Sequence, residues 1–232
     1  MKHSLPFGVL VALIALTLSA CEGDFAGGGE HQQAEGRPLP KYEQASLPAG
    51  RYHTTEFKPS LTFRITGDDW RFEGPSGVLG DPEHPDYLFF QRVSVVEISF
   101  FNVRKLKGVY KLGGPKEEIE PVPAPDELVG WFQHHPYLKT SKPEHATVGG
   151  VKGVQFDVDV VNLQKGNHCL NIFALSSGGP SEACGFGNQP ERYIVLEVVK
   201  GVPVVIRYGV ENSDKFVPVA EKVLQTVEWT GT

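Results

Sequence analysis

The runs Tyr193-Ile194-Val195-Leu196-Glu197-Val198-Val199 and Val202-Pro203-Val204-Val205-Ile206-Arg207-Tyr208 stand on either side of Lys200-Gly201. Two β-branched runs joined by so tight a connection make a β-hairpin. Outward from it the apolar period stays close to two. Leu61, Phe63 and Ile65 alternate with Thr62, Arg64 and Thr66; Val96, Ile98 and Phe100 alternate with Glu97 and Ser99; Val154, Phe156, Val158 and Val160 alternate with Gln155, Asp157 and Asp159. Each of these reads as a strand with one buried face, and Leu170 to Leu175 adds another strand. Two segments break the period. Pro125 to His134 reads as a short helix, with Pro125 in its first turn, Asp126 and Glu127 near its positive end, Leu128, Trp131 and Phe132 on one face, and Pro136 as a stop. Ser213 can cap a second helix through Asp214, Phe216, Val217, Ala220, Val223 and Leu224, after which Val227-Glu228-Trp229 returns to extended chain. Pro203 and Pro218 blur the element ends, since proline belongs at edges and in first turns. The expectation is an α+β fold, a mainly antiparallel sheet with about two packed helices, with a β-sandwich-like arrangement as the alternative.

The order of hairpin, turn, amphipathic helix ending Glu221-Lys222-Val223-Leu224-Gln225-Thr226-Val227, and last aromatic-containing strand resembles the C-terminal half of the Mog1/PsbP-like fold, a group that includes mycobacterial LpqN-type lipoproteins. The front half, with Pro59-Ser60-Leu61-Thr62-Phe63 before Asp69-Trp70, and Val148-Gly149-Gly150-Val151-Lys152-Gly153 after the first helix, is similar to exported bacterial lipoproteins more generally. These are packing motifs. The resemblance implies a fold and carries no catalytic residue, because members of one fold group do unrelated things.

The chain has 232 residues, 40% hydrophobic and 22% charged, with 26 Gly and 18 Pro, the profile of one globular domain rich in turns. Its 22 basic and 28 acidic side chains give a net charge of −6. With no long Lys/Arg run the footprint that phosphate backbones demand is missing, which argues against nucleic acid as a partner. Fixed-period repeats, heptads and an apolar run of membrane-spanning length are absent too.

Met1-Lys2-His3 is followed by a largely apolar stretch from Leu5 to Leu18. It covers only about 20 Å of a ~30 Å hydrocarbon slab and reads as a signal sequence. Leu18-Ser19-Ala20-Cys21 resembles the lipobox of bacterial lipoproteins, an apolar residue and two small ones before a cysteine. That resemblance implies cleavage before Cys21 and transfer of a diacylglyceryl group to its thiol, after which two or three acyl chains hold the mature chain on a bilayer. Glu22 to about Ser46 contains Gly27-Gly28-Gly29, His31-Gln32-Gln33 and Arg37-Pro38-Leu39-Pro40, too little apolar surface to offset ordering entropy. The expected organisation is a lipoprotein signal peptide over 1–20, lipidated Cys21 and a flexible tether over 21–46, and a single α+β domain over 47–232. About 25 tether residues have a root-mean-square span of roughly 25–30 Å.

With Cys21 acylated, Cys169 and Cys184 remain, and an even pair on an exported chain most simply forms a disulfide. Closing a loop of about fifteen residues stabilises by ~3 kcal/mol in the chain-entropy account. Free thiols, a redox pair or a thiolate ligand set are the alternatives; redox motifs favour C-x-x-C, and His168 beside Cys169 leaves a zinc site two ligands short.

No pattern for chemistry closes. Ser176-Ser177-Gly178-Gly179 follows a strand but lacks G-x-S-x-G and the helix after it, so it reads as a turn. Gly185-Phe186-Gly187 lacks the third glycine of a dinucleotide site. His134 and His135, adjacent at a helix end, diverge by about 100° and do not close on one ion. Asp81, Glu83 and Asp86 concentrate carboxylates in a proline-stiffened loop and are the weak candidates for a hard cation, with a spacing that does not match an EF-hand. Asp157 and Asp159 share a strand face about 7 Å apart, between the separations that glycosidases use. Ser176 to Pro190, glycine-rich and pinned by the expected disulfide, reads first as a long hairpin connection kept from fraying, and is the place to look for a partner surface. The expectation is therefore a non-catalytic binding or scaffolding domain on the outer side of a bacterial membrane, without cofactor, touching the bilayer through Cys21 and taking an envelope protein or small ligand as partner. The rivals are an envelope hydrolase using surface carboxylates, and an accessory subunit that docks through aromatic residues such as Phe186 or Trp131.

Overall fold

A computed structural model describes residues 36–40, 45–54, 56–74, 86–92, 96–110, 120–161, 169–176, 180–184, 190–210 and 213–230. Its elements in chain order are β1 (Arg37–Pro38), β2 (Ala45–Leu47), β3 (Gly50–His53), β4 (Leu61–Ile65), β5 (Trp70–Gly74), β6 (Tyr87–Arg92), β7 (Val96–Asn102), β8 (Gly108–Val109), α1 (Leu128–His134), β9 (Leu138–Thr140), β10 (Glu144–Val148), β11 (Val151–Val160), β12 (Cys169–Ala174), β13 (Pro180–Cys184), β14 (Glu191–Val199), β15 (Val202–Val210), α2 (Ser213–Leu224) and β16 (Glu228–Trp229).

The hairpin is β14 and β15. Lys200 and Gly201 have φ of 49° and 86°, left-handed at both central positions, as a two-residue turn matching the right-handed strand twist requires. Glycine adopts that conformation without a Cβ clash. Val199 then faces Val202, and an irregularity between Leu196 and Val199 shifts the register so that Leu196 faces Val204 and Ile194 faces Ile206.

This hairpin lies inside a nine-stranded sheet ordered β10-β11-β14-β15-β7-β6-β5-β2, with β9 also on β11. Ile194, Leu196, Val204, Ile206 and Tyr208 join one apolar cluster with Leu61, Phe63 and Ile65 of the four-stranded sheet β1-β3-β4-β16 and with Ala220, Val223 and Leu224 of α2. Tyr193 and Val205 of the same strands join a second cluster with Leu128 and Phe132 of α1 and with Leu170, Ile172 and Phe173 of the three-stranded sheet β13-β12-β8. The large sheet is thus covered on both faces, and the fold is α+β with mostly antiparallel sheets. The helices are part of both covering layers, which separates it from the β-sandwich-like alternative. Each fully buried Phe contributes roughly 2–3 kcal/mol, and aromatic contacts tie the layers: Phe63 stacks on Phe90 at 4.8 Å and 3°, and Phe132 meets Tyr193 at 4.8 Å.

Several expectations change. The strand over Val96 to Phe100 is buried on both sides, since Phe100 enters the first cluster while Ser99 and Phe101 are also fully buried. The first helix begins at Leu128 instead of Pro125, with Glu127 as N-cap and no acid in its first turn; its length follows the Leu128/Phe132 pair, four residues apart and both buried, and Trp131 stays half-buried. The second helix runs as read, with Pro218 inside it and exposed. The missing intrahelical bond at Pro218 is offset by the burial of Ala220, Val223 and Leu224 below it. The end of the tether belongs to the sheets: Arg37 and Pro38 pair in parallel with Tyr52 and His53, the Leu39 N–H donates to the His53 carbonyl at 3.0 Å, and Ala45 and Ser46 pair with Phe72 and Arg71. Those residues carry little apolar surface and are held by ladder hydrogen bonds, which composition does not register.

The outer edge of β11 is occupied by β9 and then β10. Thr140 faces Val158 and Glu144 faces Gln155, so four steps on one strand oppose three on the other and Ser141-Lys142-Pro143 form a bulge. Ser141 holds its base: its N–H donates to the Asp157 carbonyl at 2.9 Å and its Oγ accepts the Asp157 N–H at 2.9 Å.

Close backbone approach is required at Gly153, where a Cβ would lie 2.2 Å from the Val195 carbonyl oxygen of β14; at Gly209 the nearest atom would be the Glu191 Cγ at 3.8 Å. Gly153→Ala is expected to destabilise by about 2 kcal/mol or more, through strand displacement, and Gly209→Ala by no more than about 0.5 kcal/mol. Urea unfolding midpoints at constant m-value measure both.

Candidate functional site

The segment from Ser176 to Pro190 is described at 176, 180–184 and 190; Phe186 and the Gly185-Phe186-Gly187 stretch lie outside the described residues, as do Cys21, Asp81, Glu83 and His168. β13 pairs antiparallel with β12, and Cys169 is the Cα partner of Cys184, followed by Leu170 with Ala183 and Asn171 with Glu182. Directly opposed Cα atoms of an antiparallel pair are about 4.5–5.5 Å apart, within disulfide range.

Beneath β13 lies Arg207 of β15, buried at 8% exposure. Its Nη1 donates to the Glu182 carbonyl of β13 and lies 3.8 Å from Glu191 Oε1, and its Nη2 lies 3.4 Å from Glu97 Oε2. The Tyr193 hydroxyl donates to Glu191 Oε2 at 3.0 Å. Burial is the largest single influence on Arg207 and works against its charge; Glu191, Tyr193, Tyr87 and Glu97 together outweigh it and hold the guanidinium protonated. Burial first, and then the Glu191 charge, push the Tyr193 phenol well above its ordinary range. Arg207 Nε and the hydroxyl of Ser99, its Cα partner on β7, are buried without a hydrogen bond. The sequence marked none of these residues except by alternation. The signal was an arginine at an inward position of the hairpin that decides the fold.

Asp86, read from sequence as a weak cation ligand, is engaged by the fold through one carboxylate oxygen, while its Oδ1 is buried without a hydrogen bond. It is fully buried, and its Oδ2 accepts the Ser176 N–H at 2.7 Å and the Ser176 hydroxyl at 2.8 Å, while its carbonyl accepts the Asn102 N–H at 2.8 Å. The carboxylate therefore fixes the turn after β12 to the start of β6. Among the described residues no group of three His, Cys, Asp or Glu side chains could hold a metal ion.

Asp157 and Asp159 do lie on one face of β11, but Asp157 is clamped. Its Oδ1 accepts Arg192 Nε at 2.7 Å and its Oδ2 accepts Arg192 Nη2 at 3.3 Å, and Arg192 Nη1 reaches Glu221 of α2 at 3.5 Å. The Asp157 bond is the main reason that the Arg192 guanidinium is held more basic than usual. The bidentate pair joins β11 to β14, and the contact of Arg192 with Glu221 brings in α2. Asp159 is partly exposed, opposite Lys139. The two neighbouring histidines part as expected: His134 is exposed with Nδ1 2.7 Å from the Gly130 carbonyl, and His135 is buried. No helix among the described residues is long and apolar enough to cross a membrane.

No protein-family model matches the chain, and no curated protein matches it. Among solved structures it is similar to LpqN of Mycobacterium tuberculosis, described as involved in cell envelope biogenesis, with 13% identity, 82% of this chain and 91% of that chain covered, and a TM-score of 0.32.

Removing Arg207 would take a buried guanidinium away from Glu191, whose side chain is 13% exposed. Arg207→Met is expected to cost about 3 kcal/mol or more of stability, whereas Glu97→Gln, at a side chain half exposed to solvent, should cost less than about 1 kcal/mol. Chemical denaturation of the two variants separates the contributions, and equal losses would contradict the assignment of Glu191 as the main partner.

Proposed function

We propose that this chain is a bacterial cell-envelope lipoprotein, anchored by acyl chains on Cys21, whose α+β domain binds or scaffolds a component outside the cytoplasmic membrane without catalysing a reaction. The observation that carries the proposal is Leu18-Ser19-Ala20-Cys21 at the end of a short apolar leader, followed by a stretch of low apolar content. The described part of the body begins at Gly36, whose neighbours Arg37 and Pro38 form the rim strand of the four-stranded sheet. The non-catalytic part of the proposal draws support from the clamp on Asp157, the carboxylate that a hydrolase would need free.

The proposal includes a Cys169–Cys184 disulfide, as an exported chain would form. The face-to-face register of the two cysteines on β12 and β13 supports it. The bridge would tie the open edge of the three-stranded sheet over Arg207 and keep the Glu182 carbonyl on its guanidinium.

In cells fed a fatty-acid analogue, the wild-type chain should be labelled and sediment with membranes, and Cys21→Ser should be unlabelled and released; labelling that survives the substitution would exclude Cys21 as acceptor. Non-reducing peptide mass analysis should find the Cys169 and Cys184 peptides joined, and two alkylatable thiols would contradict the bridge.

A further inference from the structure

His135 is the C-cap residue of α1 and the hinge into β9, and it is almost fully buried. Its ring meets Trp131 edge-on at 5.0 Å and lies 6.1 Å from Tyr137. Nδ1 accepts the Tyr137 backbone N–H at 3.3 Å, which assigns the proton of the neutral ring to Nε2. Nε2 is buried without a hydrogen bond. A second proton, on Nδ1, would replace that acceptor by an N–H pointing at an N–H. The turn itself is held by the His135 N–H on the Phe132 carbonyl at 3.4 Å and the Leu138 N–H on the His135 carbonyl at 3.1 Å, so both bonds bracket the titrating residue.

Among the described residues, none of the neighbouring charged groups forms an ion pair or a hydrogen bond with the His135 ring. On α1, His134 is turned to the Gly130 carbonyl and Glu127 caps the opposite end of the helix. On β9, Lys139 is exposed, opposite Asp159 of β11. Beyond β8, Tyr110 presents its backbone. Burial is the main influence and pushes His135 below the ordinary histidine range, with the Tyr110 backbone acting the other way. Among the described residues no carboxylate hydrogen-bonds the ring.

We propose that His135 is an acid-sensitive latch, whose protonation frees α1 and the α1–β9 turn from the large sheet, lifts Phe132 away and uncovers the aromatic surface of Phe156 and Tyr193. Phe132 of α1 rests on Phe156 at 5.3 Å and on Tyr193 at 4.8 Å, and those two sheet residues stack on one another at 6.3 Å, so the surface left on the sheet is contiguous. Because the ring is less basic closed than open, the closed form holds its full advantage above the ordinary value near 6.5 and loses it as pH falls below that value. One proton increases the opening equilibrium at most tenfold per pH unit, about 30-fold by pH 5.

The test is native-state amide hydrogen exchange on the full chain between about pH 7.5 and pH 5, corrected for intrinsic exchange, together with an NMR titration of the His135 ring. Protection at Trp131 and Leu138 should fall by up to about 30-fold relative to Ile206 in the central hairpin, in step with the ring titration. His135→Asn, which keeps an acceptor near Nδ1 and does not titrate in this range, should remove the extra pH dependence. The latch is refuted if Trp131 and Leu138 track Ile206, or if the variant retains the wild-type slope. Should the variant fail to fold, the wild type alone decides: ring titration without a parallel loss of protection refutes the latch, and parallel change supports it.

Discussion

A sheet apolar on both faces has to be covered twice, and most of this architecture follows from that requirement. β7, β14 and β15 send Phe100, Ile194 and Ile206 one way and Phe101, Tyr193 and Val205 the other. Leaving either side open would expose a slab of aromatic and branched side chains to water, at roughly 2–3 kcal/mol for each large residue. The four-stranded sheet with α2 and the three-stranded sheet with α1 are the two covers. Both covers are small: one holds two two-residue strands and the other is three strands wide.

The charges within this arrangement join layers. Arg207 reaches from the large sheet to the Glu182 carbonyl of β13, Arg192 reaches from β14 to Asp157 and to Glu221 of α2, and Asp86 holds the turn after β12. Buried ionic contacts of this kind add little net stability beside the apolar clusters, because desolvation offsets most of their attraction. Their geometric effect is larger: each admits one relative placement of the elements that it joins.

The fold class was legible because alternation and turn chemistry are local. Lys200-Gly201 announced the central hairpin, and the 3.6-residue period of Val217, Ala220 and Leu224 announced α2. The double coverage was not legible at β7, where Glu97 and Ser99 look like a solvent face and Phe101 enters only at the end of the strand. The start of α1 was misplaced because Pro125 and two acids satisfy every local rule for a helix start, while the turn that forms is the one whose Leu128 and Phe132 reach the core. The contact of Asp86 with Ser176, ninety residues away in sequence, is a product of the fold that no local pattern announces. Arg207 was invisible as a functional feature because Glu97 and Glu191 come to it from two different strands.

The bulge at Ser141-Lys142-Pro143 bears on behaviour in a crowd. A long unbroken rim on a sheet of this width would offer a template on which a neighbour's strand could add, and then another, toward fibres. Here the rim changes phase by one residue midway, a proline withholds one donor and a lysine puts a charge beside it. A strand arriving in step with β9 falls out of step at β10, so accretion stalls after a few residues even where copies are packed close together.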